Sequence, residues 1–207
     1  MTEKKHKTKI LAISDLHGDS GLAKKIAKIA EKEKVDLIII PGDLTFLEQQ
    51  SKGILEPFHK LNKKILILPG NHETLSTIES FENAYSTAKN IHGKHFKHND
   101  IGFFGAGYST NTGPFWIEEE DVFDLLKKSH EKIKYSKKKI MITHMHPRGS
   151  KSELKFWAGS EAITKAIKKF KPDIVINGHI HEAGGITEKF YGTKIINVAR
   201  KPSVFEI

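Results

Sequence analysis

The sequence predicts an α/β fold in which two mixed β-sheets pack together and helices cover their outer faces. Strand and helix patterns alternate in the first part of the chain, whereas hairpins appear later. Uninterrupted apolar runs such as LIII and ILIL predict strands that are covered on both faces. The length suits one domain, which we expect to span residues 1–207, with a flexible basic N-terminus at residues 1–8.

The individual elements follow from apolar spacing and from turn residues. In the first part we predict strands at 9–14, 35–41 and 64–69, and helices at 20–33, 47–60 and 75–88. The helix at 47–60 contains Gly53 and Pro57, so we expect it to be broken.

The second part is richer in hairpins. We predict a strand pair at 95–105 turning at Asn99-Asp100, a loop at 106–115, a helix at 117–136 and a strand at 139–144. After these we predict a helix at 160–171 that Ser160 opens, a strand at 173–177, a hairpin at 185–198 turning at Gly192-Thr193, and an edge strand in the C-terminal PSVFEI.

The composition excludes several classes of protein. The chain has no run of 18 apolar residues and no apolar segment after its basic start, so we predict neither a membrane span nor a secretory signal. The absence of cysteine excludes disulfides and thiolate metal sites. It also fits the cytoplasmic location that we predict.

The net charge of +9 indicates an anionic partner, but the basic residues are mostly of one kind. Of the 34 basic residues only Arg148 and Arg200 are arginines, and many of the lysines lie on polar helix faces. Arginine is the usual choice for bidentate contacts with phosphates and bases. We interpret most lysines as a solvated coat, with attraction of an anionic substrate as the alternative.

Polar residues follow five of the predicted strands at the point where each strand ends. These motifs are Asp15-Leu16-His17, Gly42-Asp43, Gly70-Asn71-His72-Glu73, His144-Met145-His146 and Gly178-His179-Ile180-His181. Each motif alone is compatible with a turn, a helix cap or an exposed loop. Because ligands of open α/β sheets bind at the carboxyl ends of strands, we expect the five loops to converge on one crevice.

The loops hold six of the twelve histidines. We interpret the remaining six as surface residues, namely His6, His59, His92, His95, His98 and His130. Imidazole and carboxylate ligands favour Mn, Fe, Ni, Co or Zn over Ca or Mg, and we predict two divalent ions with Mn as the first choice. Two carboxylates and a hydroxide offset three of the four positive charges of such a pair, and the remainder attracts a phosphate anion.

In this order the motifs D-x-H, G-D, G-N-H-E, H and G-H-x-H resemble those of the calcineurin-like metallophosphoesterases, from residue 9 to about 198. The resemblance implies a four-layer αββα double β-sandwich, in agreement with the element pattern, and hydrolysis of phosphate esters. The stretches GDLT, GNHE, GSEA and GHIHEAGG are most similar to compact, single-domain predicted phosphoesterases of archaea and bacteria.

The resemblance implies seven metal ligands. The first ion would be bound by Asp15, His17 and His181, the second by Asn71, His144 and His179, and both by Asp43. A hydroxide that bridges the ions would attack phosphorus. His72 would act on the leaving-group side as a general acid or transition-state stabiliser. Glu182 remains outside this set, as a surface residue or a support of the ligands.

The sequence departs from the protein Ser/Thr phosphatases of the same family, which are similar to G-D-x-V-D-R-G and R-G-N-H-E. This chain has GDLTFLE and PGNHE, so both phosphate-gripping arginines are missing. Phe46 stands where an aspartate would orient His72, which leaves the orienting partner of His72 open. We therefore expect a phosphodiesterase rather than a protein phosphatase, with monoesters as an alternative class of substrate.

Contacts to the substrate are predicted for Asn71, Arg148 and Tyr108. The loop of Tyr108 could also line the pocket through Asn111 and Phe115 or be a plain connection. The stretch KFWAG, with Phe156 and Trp157, forms either an aromatic wall for a base or aryl group or packing between helix and sheet.

We expect a phosphate-ester small molecule or nucleotide as partner, and the sequence is compatible with a homo-oligomer. A nuclease acting on DNA or RNA is the alternative that the charge suggests, although no Arg-rich stripe or obvious stacking platform supports it. A catalytically inactive scaffold is the third interpretation. Such a scaffold would be expected to lack metal ligands, and none of the seven positions is replaced.

Overall fold

A computed structural model describes residues 7–49, 53–110, 112–154 and 157–207. Within these ranges the strands are β1 (Lys9–Ala12), β2 (Leu37–Pro41), β3 (Lys64–Leu68), β4 (Ala88–Asn90), β5 (His95–His98), β6 (Ile101–Ala106), β7 (Lys138–Thr143), β8 (Ile174–Asn177), β9 (Thr187–Phe190), β10 (Thr193–Asn197) and β11 (Ser203–Glu206). The α-helices are α1 (Ser20–Lys32), α2 (Glu56–His59), α3 (Leu75–Ala84), α4 (Glu119–Glu131) and α5 (Glu161–Phe170), and a 3₁₀ turn spans His181–Ala183.

The strands form two mixed sheets, as the sequence predicts. The first sheet has the order β11-β1-β2-β3-β4, in which β1 to β4 are parallel and β11 is the predicted C-terminal edge strand. The second has the order β5-β6-β7-β8-β10-β9, with four parallel inner strands and two antiparallel edges. The carboxyl ends of the parallel strands therefore lie along one edge of each sheet.

The protein has four layers: helices, the first sheet, the second sheet, and helices again. A cluster of buried apolar side chains lies between each pair of neighbouring layers. Along β2, Ile38 and Ile40 pack towards α1, α2 and α3, whereas Leu37 and Ile39 pack between the two sheets. The far face of the second sheet packs against α4 and α5, for example through Met141. This is the αββα double β-sandwich that we predict, and it explains the uninterrupted apolar runs, because both faces of the inner strands are buried.

Helix starts next to the strand ends are fixed by side chains. Asp19 caps α1 by accepting a hydrogen bond from the Leu22 amide at 2.8 Å, and Ser160 caps α5 as predicted. Glu119 at the start of α4 accepts hydrogen bonds of 2.7 Å from the Ser160 hydroxyl and from the Ala162 amide. A carboxylate at this position also interacts favourably with the positive end of the α5 dipole.

Most predicted elements are confirmed, with ends that differ by a few residues. The helix at 47–60 is wrong over most of its described length, because helical structure is confined to Glu56–His59 and Phe46 bridges to Gln49. Positive φ angles at Leu47 and Glu48 are incompatible with a helix there. Residues 50–52 of this prediction lie outside the described ranges. The helix at 75–88 ends at Ala84, and its last predicted residue begins the edge strand β4.

The C-terminal hairpin turns one residue earlier than predicted. Phe190 pairs with Thr193, so the two turn residues are Tyr191 and Gly192. Both have positive φ angles, of 48° and 85°, as a type I′ hairpin turn requires. Gly192 indicates a turn in the sequence, but it does not determine which residues of the two strands pair.

The prediction that the remaining histidines lie on the surface is wrong for His130 and His92. His130 is buried, with its ring stacked on Phe170 at a centroid distance of 4.5 Å. His92 is partly buried and its Nδ1 accepts a hydrogen bond of 3.0 Å from the Gly107 amide. His95 is exposed, His59 and His98 are partly exposed, and His6 lies outside the described ranges.

The predicted flexible N-terminus falls mostly on residues 1–6, outside the described ranges. Thr8 is buried and exchanges two backbone hydrogen bonds with Ile207, both of 3.1 Å, so the pairing of β1 with β11 extends to this residue. None of the helices in the described part of the chain is long and apolar enough to cross a membrane.

The packing between the sheets can be tested at Phe103, whose side chain is fully buried there. Because Phe103→Ala leaves a cavity in a close-packed layer, we expect the free energy of unfolding to fall by about 3–5 kcal/mol. Urea denaturation followed by circular dichroism measures this. Tyr135→Ala, at a side chain that is 91% exposed, is the control and should change stability by less than about 0.5 kcal/mol. Similar small losses in both variants would contradict the packing.

Candidate metal centre

Loops that follow β1, β2, β3, β7 and β8 meet at one end of the sandwich. Backbone hydrogen bonds join them: the His17 amide donates to the Asp43 carbonyl at 2.9 Å, and the Gly178 amide donates to the His144 carbonyl at 2.9 Å. The Ser14 amide donates to the Val198 carbonyl, which links the two sheets. Main-chain hydrogen bonds therefore hold the motif after β1 beside that after β2, and the motif after β7 beside that after β8.

One group of donor atoms lies beside β1. The Nε2 atoms of His17 and His181 are 3.2 Å apart, and His181 Nε2 is 3.5 Å from Asp15 Oδ1. His17 Nε2 is 3.6 Å from Asp43 Oδ2. Asp15 is fully buried and its Oδ1 has no hydrogen-bond partner among the described residues.

A second group lies beside β7. His144 Nε2 is 2.9 Å from Asn71 Oδ1 and 3.2 Å from His179 Nδ1. It is also 3.5 Å from Asp43 Oδ2, the same oxygen that faces His17. The structure thus brings all seven predicted ligands together, in two groups that share one carboxylate oxygen.

These distances fit two cations. Around a metal with bonds of about 2.0–2.2 Å, adjacent ligand atoms lie about 2.8–3.6 Å apart, from octahedral to tetrahedral angles. The Nδ1 atom of His144 donates to the Pro41 carbonyl at 2.9 Å, so its Nε2 carries a lone pair. With the amide oriented as it is, that lone pair faces the Asn71 carbonyl oxygen, and a cation between the two acceptors would turn a repulsive contact into a favourable one.

The other oxygen of each carboxylate is held by the protein. Asp15 Oδ2 accepts hydrogen bonds from the Ser14 hydroxyl and, at 3.1 Å, from the His179 amide. Asp43 Oδ1 accepts one from the His72 amide at 3.0 Å. Each carboxylate is therefore oriented by one oxygen and presents the other towards the imidazoles, which is typical of supported metal ligands.

The electrostatics favour the ligand forms of His17 and His179, whereas the hydrogen bond to Asp15 raises the pKa of His181. Burial lowers the pKa of His17 to about 4 and that of His179 to about 3, so both rings are neutral at neutral pH and offer a lone pair. Burial, with repulsion from Glu73 and Asp15, raises the pKa of Asp43 well above its usual range. A divalent cation at this point would stabilise the ionised carboxylate of Asp43.

Four of the seven predicted ligands have positive φ angles, namely Asp15, His17, Asp43 and His179. Residues other than glycine rarely adopt this conformation, and backbone strain of this kind clusters at functional sites. The φ of +73° at His179 also explains why the side chains of His179 and His181, which have one residue between them, point to different groups of donor atoms. His179 reaches the group beside β7, whereas His181 begins the 3₁₀ turn and reaches the group beside β1.

Close approach of the main chain explains the glycine before His179. A Cβ atom on Gly178 would collide with the Ser14 hydroxyl and lie 2.5 Å from Asp15 Oδ2. Any larger residue would therefore displace the Asp15 carboxylate, which makes this glycine part of the construction of the site.

Glu73 is a buried support whose role the GNHE motif alone does not reveal. Its carboxylate accepts hydrogen bonds from the amides of Gly70, Leu44 and Thr45, at 2.9, 3.4 and 3.2 Å, and from the Thr45 hydroxyl. Burial raises its pKa to about 7, although the four hydrogen bonds oppose the rise. Glu73 thus ties the loop after β2 to the loop after β3, and only its position in the motif hinted at this.

Phe46 occupies the place next to His72 that the sequence leaves open. Their rings are stacked, with centroids 5.0 Å apart and planes at 22°. The rings of His17 and His72 meet edge to face, with centroids 4.7 Å apart. His72 Nδ1 is buried without a hydrogen bond to any described residue. Among the described residues, ring contacts rather than a carboxylate therefore orient the imidazole of His72.

His72 is also close enough to His17 and Asp43 to form a third candidate ligand group in the described part of the chain. Burial, with the charge of His144, lowers the pKa of His72. The loops around these groups form a cavity of about 570 Å³ with His72, Phe46, Trp157 and Glu182 in its wall. Thr112 and Gly113 line it as well, so the loop at 106–115 reaches the site.

The predicted substrate contacts are only partly placed at this cavity. Asn71 lines it, but Arg148 lies in a separate cleft and pairs with Glu153, its Nε 3.4 Å from the carboxylate. Tyr108 packs edge-on against His92, away from the lining, so its predicted contact is not supported. Asn111 lies outside the described residues, as does Phe156.

Among the aromatic alternatives, Trp157 stands in the cavity wall. The Phe115 amide donates to the Asn71 carbonyl at 3.3 Å, so this residue braces a ligand through its main chain. Glu182 is exposed in the cavity wall.

Arg200 is a further residue that sequence reasoning missed. Its guanidinium donates to the Asp15 carbonyl at 3.2 Å and lies 3.4 Å from the Asp19 carboxylate. It therefore holds the loop after β1 from the side of the last strand. Its being one of two arginines was the available signal, but the neighbour could not be known without the fold.

A family model described as calcineurin-like phosphoesterase matches residues 8–183. The chain belongs to this family. Membership confirms the resemblance seen in the motifs and indicates an enzyme that hydrolyses phosphoric esters, with candidate metal ligands in place. None of the curated proteins compared with the chain matches it significantly.

Solved structures agree with the fold. A protein of Thermus thermophilus has a TM-score of 0.77 at 18% identity, with 97% of this chain and 99% of that chain covered. A Mycoplasma pneumoniae phosphatase has a TM-score of 0.60 at 15% identity, covering 94% and 72%. An archaeal phosphodiesterase has a TM-score of 0.57 at 18% identity, covering 97% and 100%. At these identities the likeness shows the fold alone.

The support by Glu73 can be tested with Glu73→Gln, which keeps the shape but can accept fewer of the four hydrogen bonds. Since a buried amide left without its acceptor costs about 1–3 kcal/mol, we expect a stability loss in that range. We also expect weaker binding of Mn²⁺, measured by isothermal titration calorimetry, because the two loops loosen. Glu79→Gln, at an exposed residue of α3, is the matched control. Unchanged stability and Mn²⁺ binding in Glu73→Gln would show that this carboxylate does not hold the loops.

Proposed function

We propose that this calcineurin-like phosphoesterase is a phosphodiesterase that uses two divalent transition-metal ions, Mn²⁺ before Fe, Ni, Co or Zn. The single observation that carries the proposal is the sharing of Asp43 Oδ2 by two groups of acceptor atoms, 3.6 Å from His17 Nε2 and 3.5 Å from His144 Nε2. A carboxylate oxygen that faces an imidazole of each group is placed to contact two ions at once, as in dinuclear sites with ions about 3.5–4 Å apart.

The proposed ligands divide by these contacts. Asp15, His17 and His181 would hold one ion, Asn71, His144 and His179 would hold the other, and Asp43 would contact both. When bound, such a pair supplies an activated water and neutralises charge on the phosphoryl oxygens. The protein contributes the fixed orientation of these ligands, through the hydrogen bonds to Asp15 Oδ2 and Asp43 Oδ1.

His72 is proposed to stabilise the departing oxygen. Its pKa is lowered by burial and by the nearby imidazoles, so its neutral ring meets the substrate and donates a hydrogen bond through an N–H. Stacking on Phe46 restricts the ring to one plane, which lowers the entropic cost of this contact. A positioned donor of this kind contributes about 10²–10⁴-fold to a rate.

The wall of the cavity favours a diester over a monoester. Among the described residues that line it there is no lysine or arginine, and Glu182 adds a negative charge. A diester carries one negative charge at phosphorus, whereas a monoester at neutral pH carries about 1.5 to 2 and would need further cationic groups. This supports the preference for diesters.

The roles of His72 and Asp43 can be separated with two variants. The protein loaded with Mn²⁺ should hydrolyse bis-p-nitrophenyl phosphate, measured by release of nitrophenolate. His72→Ala should lower kcat by about 100-fold or more while metal content, measured by mass spectrometry, stays at the wild-type level. Asp43→Asn should lose both activity and metal, because the amide has no negative charge and an NH₂ group replaces one carboxylate oxygen.

His95→Ala, at an exposed histidine outside the cavity, is the control and should change neither quantity. Full activity of His72→Ala on several esters would refute the role given to His72. A wild-type protein that takes up no Mn²⁺ would support the alternative of a catalytically inactive scaffold.

A nuclease is the second candidate function, and one observation favours it. A cleft beside α5 is lined by Arg148, Lys165, Lys168 and Lys169. All three ammonium groups lie over aromatic rings of the same chain: Lys165 and Lys169 over Phe123, 4.3 and 5.5 Å from the centroid, and Lys168 over Tyr191 at 4.3 Å. Their charge is therefore partly engaged within the protein.

Fluorescence polarisation with labelled single- and double-stranded oligonucleotides tests this second candidate. A nuclease should bind at low salt, and its affinity should fall steeply as salt is added. A diesterase of small molecules, which we favour, should show negligible binding even at low salt. Tight binding that is lost in Lys168→Ala would reverse the preference.

A further inference from the structure

Two large aromatic side chains stand half-exposed in the wall of the cavity. Phe46 is 47% exposed and Trp157 is 48% exposed. Aromatic side chains of this size dominate the energetics of cores and of interfaces. Their exposure next to the proposed metal ligands indicates a flat apolar ligand, because about half of each side chain is left uncovered in the described structure.

The site itself holds the ring of Phe46 and the main chain of Trp157. Phe46 is stacked on His72, and its backbone bridges to Gln49. The Trp157 amide donates to the Leu154 carbonyl at 2.9 Å, and the Trp157 carbonyl lies 3.3 Å from His146 Nε2. The ring of His146 is stacked on that of His179, a proposed metal ligand, at 6.4 Å. The two aromatic residues are thus attached to opposite ligand groups of one cavity.

Glu182 supplies the polar part of the same wall. A carboxylate accepts hydrogen bonds and disfavours a polyanionic ligand. Among flat groups, a nucleobase with its ribose offers donors that a carboxylate can accept, whereas a simple aryl or alkyl group offers none. A cavity of about 570 Å³ is within the usual range for small-molecule sites.

We infer that the substrate is a nucleoside phosphodiester, whose base stacks on Trp157 and Phe46 and whose base or ribose donates to Glu182. The inference rests on the proposed function for the position of the phosphorus atom. It adds the chemical class of the group that is esterified. Stacking tolerates different bases, so these contacts favour nucleosides without selecting one base.

Trp157 carries the test, because Phe46 also orients His72. Two esters with the same leaving group and the same charge are compared, thymidine 5′-(p-nitrophenyl) phosphate and methyl p-nitrophenyl phosphate. We expect the wild type to prefer the thymidine ester in kcat/KM by tenfold or more. Trp157→Leu should reduce this preference about 5- to 150-fold, the equivalent of about 1–3 kcal/mol for one stacked base.

Trp157→Phe keeps a stacking face and should retain most of the preference, whereas Tyr135→Leu, at an exposed ring outside the cavity, should retain all of it. Equal losses on both esters in Trp157→Leu would overturn the inference, since the shared nitrophenyl group would then be what the ring contacts. No preference in the wild type would overturn it too.

Failure of the proposed function is a separate result. If neither ester is hydrolysed with Mn²⁺, the proposed function fails, and quenching of tryptophan fluorescence by the diester thymidine 5′-(methyl phosphate) still tests the stacking. Quenching that is lost in Trp157→Leu and kept in Trp157→Phe would support the inference. Quenching that is absent, or unchanged in Trp157→Leu, would refute it.

Discussion

The carboxylate of Asp43 is the point on which the site depends. It is almost fully buried, its Oδ1 is fixed by the His72 amide, and its Oδ2 faces His17 on one side and His144 on the other. Burial and the neighbouring carboxylates raise its pKa, so the protein alone does not stabilise its charge. Two cations would do so, and each would also give a common partner to two imidazole nitrogens that lie 3.2 Å apart. The surrounding architecture serves this arrangement, because five loops from two sheets have to end next to one carboxylate.

The strained loops and the supports around them follow from the same constraint. Left-handed backbone at Asp15, Asp43 and His179 brings side chains together that an extended chain would point apart. Glu73 offsets part of that cost by accepting four hydrogen bonds from the loops after β2 and β3. Phe46 contributes in a different way: its ring stacks on His72, and about half of its side chain remains exposed in the cavity wall. One residue can therefore orient a proposed catalytic group and form part of a binding wall.

Much of the fold could be predicted because its signals are local. The buried strands appear in the sequence as apolar runs, and the N-cap residue Ser160 indicates the start of α5. The polar motifs come directly after strands whose carboxyl ends must share an edge of the sheet. Contacts between distant segments could not be predicted in this way. The burial of His130 depends on Phe170, forty residues further along the chain, and the displacement of Arg148 from the cavity depends on its pairing with Glu153 and the cleft beside α5. The short α2 and the one-residue shift of the last turn show what glycine and proline can predict. They indicate that a helix breaks or a chain turns, but they do not determine where the helix begins or which residues form the turn.

The central claim is that one carboxylate oxygen serves two metal ions, and the anomalous diffraction of crystals grown with Mn²⁺ tests it most directly. We predict two anomalous peaks about 3.5–4 Å apart, both within bonding distance of Asp43 Oδ2. One peak should also contact the Asp15 carboxylate and the other the Asn71 amide oxygen. A single peak, or two peaks of which Asp43 touches only one, would contradict the claim.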